Sequence, residues 1–382
     1  MPSSTVISGV QYSGIWTMNQ VNAALAAGTW TGIPQLFSWG QNTYGQLGLS
    51  STVGKSSPNQ IGTLTTWLEI AGGNYFTLST KTDGTLWAWG QNNYGQLGLG
   101  NVTYYSSPKQ VGALTTWSKI SGGAYFSTAT KTDGTLWTWG YNTYGQLGLG
   151  STAHKSSPNQ VGALTTWSAI ACGWGSITAL KTDGTLWTWG FNAYGTLGIG
   201  NITYYSSPKQ VGALTTWLAI AGGYAHVLAI KTGGTLWSWG LNSHGQLGLG
   251  NTTNLSSPVQ VGALTTWYTA KGGYRFTVTT KTDGTLWAWG LNTSGQLGLG
   301  NATNRSSPNQ VGALTTWSSI AAYYGVLTTK TDGTLWAWGD NTQGQLGLGN
   351  ITNYSSPKQV GALTTWLKLA AGSYHTLAIK TS

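Results

Sequence analysis

The chain has 382 residues with 58 glycines, 23 tryptophans and 19 tyrosines, yet only 6% of it is charged. It is too aromatic for a disordered chain, too poor in charge for an average soluble domain, and holds no apolar run long enough to span a membrane. A net charge of +10 without any basic run argues against a phosphate-tracking groove, so neither nucleic acid nor membrane insertion is expected.

Residues 1–35 precede a repeat and are expected to form a cap or docking segment. No Lys or Arg occurs before Lys55, so no signal peptide is expected. Thr17 through Gly28 reads as a short helix, with Thr17 as N-cap, Gln20 as its capping-box partner and Gly28 as the stop. Val21, Ala24 and Leu25 form its apolar stripe, and Tyr12, Ile15, Trp16 and Trp30 flank it. Together Tyr12, Ile15, Trp16, Val21, Leu25 and Trp30 are the candidate docking residues. The Ser-Gly-Ile-Trp … Ala-Gly-Thr-Trp pattern resembles short segments of bacteriophage tail and structural proteins. That resemblance implies docking to other virion proteins; a plain cap on the following domain is the alternative.

From residue 36 the chain repeats. Trp39, Trp89, Trp139, Trp189, Trp239, Trp289 and Trp338 recur in Trp-Gly dipeptides, and the last unit is one residue short, around Ala322–Gly325. Within a unit, Lys81-Thr82-Asp83-Gly84-Thr85 is a hairpin turn in which Gly supplies positive φ. Leu86-Trp87-Ala88-Trp89 alternates large and small side chains, as a strand does, and Phe76–Thr80 can pair with it across the turn. Pro58 and its counterparts are expected to open a further short strand. Four short strands per unit, seven times over, predict an all-β seven-bladed β-propeller over residues 36–382.

The ends predict how it closes. Trp366 to Ser382 repeats the opening strands of a unit and stops in its turn, while Leu36-Phe37-Ser38-Trp39-Gly40 supplies the missing continuation. The C-terminal strands are therefore expected to pair with the N-terminal ones in a shared blade, leaving no free edge. Most tryptophans occupy three repeated positions, typified by Trp67, Trp87 and Trp89, and are expected to be core.

The string Trp-Gly-x-Asn-x-x-Gly-Gln-Leu-Gly-Leu-Gly, at Trp89–Gly100 and Trp139–Gly150, resembles the repeat of the regulator of chromosome condensation family. The resemblance implies the same propeller with a blade split between the termini, but not a function. The founding activity, nucleotide exchange on a small GTPase with chromatin binding, implies a basic N-terminal tail and irregular loops; this chain has neither. A light-sensing branch of the family implies Gly-Trp-Arg-His-Thr motifs. Here the corresponding strings are Gly173-Trp174-Gly175-Ser176-Ile177 and Gly273-Tyr274-Arg275-Phe276-Thr277, which split the Trp and the Arg between units.

No chemistry-bearing constellation emerges. Among His154, His226, His244 and His375 no pair has metal-ligand spacing, so no metal site is expected. Five aspartates are explained by the hairpin turn, and each follows a lysine by two residues, as in Lys81 and Asp83. The remaining acids, Glu69 and Asp340, form no general acid/base couple. Cys172, the only cysteine, stands where other units carry glycine and is expected to be a small buried residue. The glycine strings lack the Lys-Ser/Thr ending of a phosphate cradle, so neither an enzyme nor a cofactor is expected.

Near-identical units differ most in one loop, which yields the candidate binding residues Tyr104, Tyr105, His154, Lys155, Tyr204, Tyr205, Arg305 and Tyr354. They differ again after the Gly-Gly turn, at Tyr75, Tyr125, Trp174, Tyr224, Tyr274 and Tyr374. Aromatics amid Asn, Ser and Thr suit a protein hot spot or glycan stacking. The leading expectation is a structural or receptor-binding propeller of a phage virion that meets a host surface protein or glycan. A secreted or surface glycan-binding module comes second, in an extracellular setting, and a regulator-type protein-interaction propeller third.

Overall fold

The computed structural model describes residues 34–63 and 66–381, and in them seven four-stranded antiparallel sheets stand around a central axis. The helix expected at 17–28 and the docking residues Tyr12 to Trp30 lie outside the described residues. The first complete blade runs outward through Trp67–Gly72, Phe76–Lys81, Leu86–Gly90 and Tyr105–Gln110. Five more blades repeat this order. The seventh takes Trp366–Ala371 and His375–Thr381 from the C-terminus and Pro34–Gly40 and Lys55–Gln60 from the N-terminus. Seven consecutive pairs join the two ends, from Pro34 opposite Thr381 to Gly40 opposite His375. The split blade expected from the half-units at the ends is present.

Each strand's local chemistry accounts for its place. Gly84 holds φ at +76° in the hairpin turn, while Asp83 accepts hydrogen bonds from the Thr85 amide and hydroxyl at 2.9 and 2.6 Å. Pro58 departs from expectation: it lies inside the outermost strand, Lys55–Gln60, rather than opening it. An outer strand has a free edge, so a missing N–H there breaks no ladder bond.

The three tryptophan positions do different work. Trp189 is fully buried, and its indole N–H donates at 3.0 Å to the carbonyl of Gln146 in the neighbouring blade's loop. The same bond recurs around the ring, including Trp39 to Gln345 across the closing blade. Gly148 is glycine because a Cβ there would lie 2.6 Å from the Trp189 indole nitrogen. Trp167 packs edge-on against Trp187 and Trp189, and its N–H meets no acceptor among the described residues. Trp187 is half-buried under the Lys181 ammonium, 3.7 Å from its ring.

These differences predict unequal costs for one change. Trp189→Phe leaves a buried carbonyl without its indole donor and should cost roughly 1–3 kcal/mol more than Trp167→Phe, which removes no hydrogen bond. Urea unfolding of the two variants checks this, and equal losses would contradict the pinning role of the Trp189 N–H.

Candidate functional site

The strand directions sort the loops onto two faces. The loop after each inner strand (Gly73–Tyr75 in the first complete blade) and the long glycine-rich loop (Gln91–Tyr104) share one face. The Lys-Thr-Asp-Gly-Thr hairpins and the Val-Gly-Ala-Leu-Thr-Thr loops occupy the other. The two faces differ in chemistry.

The first face is nearly free of charge and rich in aromatic rings. Around the channel mouth Tyr75 stacks on Tyr374 at 6.4 Å and Tyr374 on Tyr324 at 4.7 Å. Tyr274 follows at 4.7 Å, Tyr224 at 4.7 Å and Trp174 at 5.7 Å, so an unbroken arc covers six of the seven blades. In the remaining blade, which contains Phe126–Lys131, Tyr125 packs outward on Tyr94 and Tyr141. The rings are held from beneath by backbone bonds between blades, such as Trp174 N–H to Tyr224 O at 2.9 Å and Tyr274 N–H to Tyr323 O at 2.8 Å. Burial raises the hydroxyl pKa of Tyr75, Tyr224 and Tyr324 above the ordinary tyrosine value, so they remain neutral donors. Arg275 stacks over Tyr274 with its guanidinium carbon 5.0 Å from the ring.

The collar continues outward through three of the candidate loop residues. Tyr104 packs edge-on against Tyr44 at 5.6 Å, Tyr204 against Tyr144 at 5.7 Å, and His154 lies over Tyr141 at 4.9 Å. Both tyrosines and His154 are exposed. His154 also closes its own loop, with Nδ1 accepting the Asn142 amide at 3.0 Å, a role that Asn254, Asn304 and Asn353 take elsewhere. The other five candidates, Tyr105, Lys155, Tyr205, Arg305 and Tyr354, are the first residues of outer strands and are half-buried. Tyr105 and Tyr354 pack against the blade core, and Lys109, Lys209 and Lys358 sit over the rings of Tyr105, Tyr205 and Tyr354. Thus the structure places Tyr104, Tyr204 and His154 on one surface and sets the other five apart, along the rim.

On the opposite face the recurring lysines are not paired with the turn aspartates. Lys81 lies 3.6 Å from the Trp87 ring, and five more follow the same pattern. The lone ion pair among the described residues joins Lys368 to Glu69 at 3.1 Å, between the inner strands of adjacent blades. The aspartates spend their acceptors on threonine instead, which holds the Asp83 carboxyl below the usual carboxylate range.

Between the faces runs the central channel, a cavity of about 240 Å³ lined by the seven inner strands. Four of its seven inner strands end in glycine, where neighbouring strands touch backbone to backbone: a Cβ on Gly222 would lie 2.4 Å from the Cys172 carbonyl oxygen. Cys172 sits in this wall, where burial pushes its thiol up to about 12, so it is protonated and a poor nucleophile at neutral pH. No group of three His, Cys, Asp or Glu side chains able to hold a metal occurs among the described residues. Three lysines of the inner strands, Lys119, Lys271 and Lys368, went unweighed in the sequence reading. The signal that would have found them is register: Lys119 and Lys368 share one position with Glu69, where the other units carry Ala, Thr or Ser, and Lys271 stands where the others carry Ala or Ser.

The family model for the regulator of chromosome condensation (RCC1) repeat matches residues 35–79, 83–130, 133–180, 183–230, 233–279, 283–322 and 332–379. The chain belongs to this family. Among solved structures, this RCC1-repeat propeller superposes on human WBSCR16 with a TM-score of 0.82, at 22% identity over 91% of this chain and 99% of that one. Prp20p of Saccharomyces cerevisiae, described with its binding to Gsp1p and histones, gives 0.81 at 18% identity over 92% of each chain. Yeast RCC1 (Prp20) bound to Kap60 gives 0.82 at 18% identity over 100% of this chain and 97% of that one. At such identities the structures share the fold. No curated protein matches the chain significantly by sequence.

The membership corrects the expected location. A virion was inferred from composition and from some twenty residues near the N-terminus, but seven repeat units match a family whose solved neighbours are proteins of human and yeast cells. Virion partners lose their support with it. The composition has a local cause in this repeat: its glycines hold φ values from +58° at Gly62 to +106° at Gly40, and its asparagines cap loops, as Asn42 does for the Leu47 amide.

Proposed function

We propose that this RCC1-repeat propeller is a regulator-type scaffold that binds another protein through its aromatic collar. The observation that carries this reading is the arc from Tyr75 to Trp174, a rigid aromatic surface on an almost uncharged face with Arg275 stacked within it. Interface energy concentrates in tyrosine, tryptophan and arginine held in fixed positions, because such side chains bury large area at little further entropy cost. Here their mutual stacking has already removed much of that entropy. The neighbour Prp20p is described as binding proteins, which supports the class of partner and not its identity. Ser243 Oγ meets His244 Nδ1 at 2.9 Å in one exposed loop, with no further side chain bonded to the imidazole among the described residues, and the reading needs no catalysis.

The test is cross-linked affinity purification from the source cells, followed by calorimetry with the recovered partner. Tyr274→Ala with Arg275→Ala should weaken that complex at least tenfold, whereas Lys109→Ala with Lys209→Ala on the outer rim should leave it within about twofold. Unchanged affinity in the collar variant, or loss confined to the rim variant, would refute the collar as the interface.

A further inference from the structure

We propose that the central channel is a binding site for a single carboxylate, entered through the aromatic collar and anchored by Lys271. The inference concerns the channel interior and stands whether or not a partner protein uses the outer surface of the collar.

Lys271 belongs to the inner strand Trp267–Gly272, paired opposite Val278. The same register position in other blades is Ala71, Ser121, Ala171, Ala221, Ala321 and Ala370. The other six side chains are small, and Ala71, Ala171, Ala221 and Ala321 are buried, so Lys271 is the one long side chain at this level of the ring. It lines the channel, is exposed to solvent within it, and is surrounded by protein to the point that desolvation lowers its pKa.

Lys271 forms no ion pair among the described residues. All seven acidic side chains are accounted for. Glu69 is bonded to Lys368. Asp83, Asp133, Asp183, Asp283 and Asp332 each hold the threonine two residues on, and Asp340 accepts the Thr342 amide. Glu69 reaches Lys271 only through its field. A cation held in a narrow, mostly small-residue and aliphatic wall without a partner favours an anion that can reach it, since the pairing offsets solvation the ammonium has already lost.

The single charge selects the ligand class. One ammonium balances a carboxylate, whereas a phosphate dianion would bring a second charge into the cavity uncompensated. The approach through Tyr224, Tyr274, Tyr324 and Trp174 favours an aromatic or planar group behind the carboxylate. Such a carboxylate occurs on a free aryl acid or at the C-terminus of a peptide.

Isothermal titration of the full chain tests this with three probes: phenylacetate, its neutral counterpart phenylacetamide, and the peptide acetyl-Gly-Gly-Phe with a free C-terminal carboxylate. At least one carboxylate probe should bind with one site per chain. If phenylacetate binds, it should do so at least tenfold more tightly than phenylacetamide. Lys271→Met should weaken the binding probe at least tenfold, while Lys119→Met, which removes the cation near the far end, should change it by less than twofold. Binding of the peptide alone identifies a polypeptide terminus as the source of the carboxylate, and binding of phenylacetate identifies a free acid. Equal affinity for phenylacetate and phenylacetamide, no binding of either carboxylate, or an undiminished response in Lys271→Met overturns the proposal. The comparison of charged and neutral probes requires no variant, so it decides the matter even if Lys271→Met fails to fold.

Discussion

A chain lacking residues 375–382 is expected to lose the propeller altogether and to be recovered as aggregate. The strand His375–Thr381 lies between Trp366–Ala371 and Pro34–Gly40, so its removal separates them and exposes two strand edges at once. Leu377 and Ile379 are buried in the same cluster as Leu36, Trp67 and Trp89, which ties the closing blade to the next one. Each such aliphatic side chain is worth ~1.5–3 kcal/mol of burial, and each ladder bond about 0.5–1.5 kcal/mol net. Over seven residues, five of them paired on both sides, the loss is comparable to the ~5–15 kcal/mol that stabilises a whole domain. The unpaired edges would then recruit other chains. Size-exclusion chromatography and circular dichroism check this, and adding the missing strand as a peptide should restore part of the soluble fold. A truncated chain that runs as a monomer and melts near the wild-type temperature would show that the closure contributes little.

The closure was legible because it is written as two half-units: Leu36–Gly40 continues what Thr381 breaks off, and only one pairing completes the repeat. Side-chain environments were legible where period and chemistry coincide, as for Trp89 and the Asp83–Gly84 turn. They were not where neighbours in sequence part company in space. Tyr104 and Tyr105 were drawn from the same variable loop, but Tyr104 ends the loop on the collar face and Tyr105 starts a strand that turns it onto the blade core. Lys81 and Asp83 are two residues apart, a spacing that suggests mutual neutralisation. The tight turn instead aims the carboxylate at Thr85, and the strand before it lays the lysine across Trp87. Lys271 could not be placed from spacing alone, since an inner-strand residue can face a neighbouring blade or the channel, and only the assembled ring distinguishes the two. The tyrosines after the Gly-Gly turn were noticed one unit at a time; their contact with one another requires closure of the ring.

Replacing His226 and His375 by phenylalanine is expected to remove most of a fall in stability between pH 6.5 and pH 4. Both rings are buried. The Thr277 hydroxyl donates to the Gln246 carbonyl at 2.8 Å, so at the 3.2 Å contact it accepts from His226 Nε2–H; Thr77, Gln46 and His375 repeat the arrangement. With the proton on Nε2, each Nδ1 is left without a partner among the described residues. Protonation would therefore place a second N–H where no acceptor exists. Burial accordingly lowers His226 to about 4 and His375 to about 3. As pH drops below 6.5 the unfolded chain takes up protons on these rings while the folded chain does not, so the equilibrium shifts toward unfolding until the folded values are reached. The penalty is roughly 3 kcal/mol for His226 and somewhat more for His375. The two rings lie in different blades, so their penalties should add. The turn aspartates, held low by threonine, lose their contribution only at still lower pH and leave this window clear. Phenylalanine suits the position, since Phe76, Phe126 and Phe276 occupy it in other blades and pack against the same turn glycine, as His226 does on Gly223. Urea unfolding at pH 7, 5.5 and 4.5 measures the effect. The double variant should lose far less than the wild type across that range, the remainder coming from His244, which burial and Arg275 also lower, and an unchanged pH dependence would mean that His226 and His375 are not what makes the ring acid-sensitive.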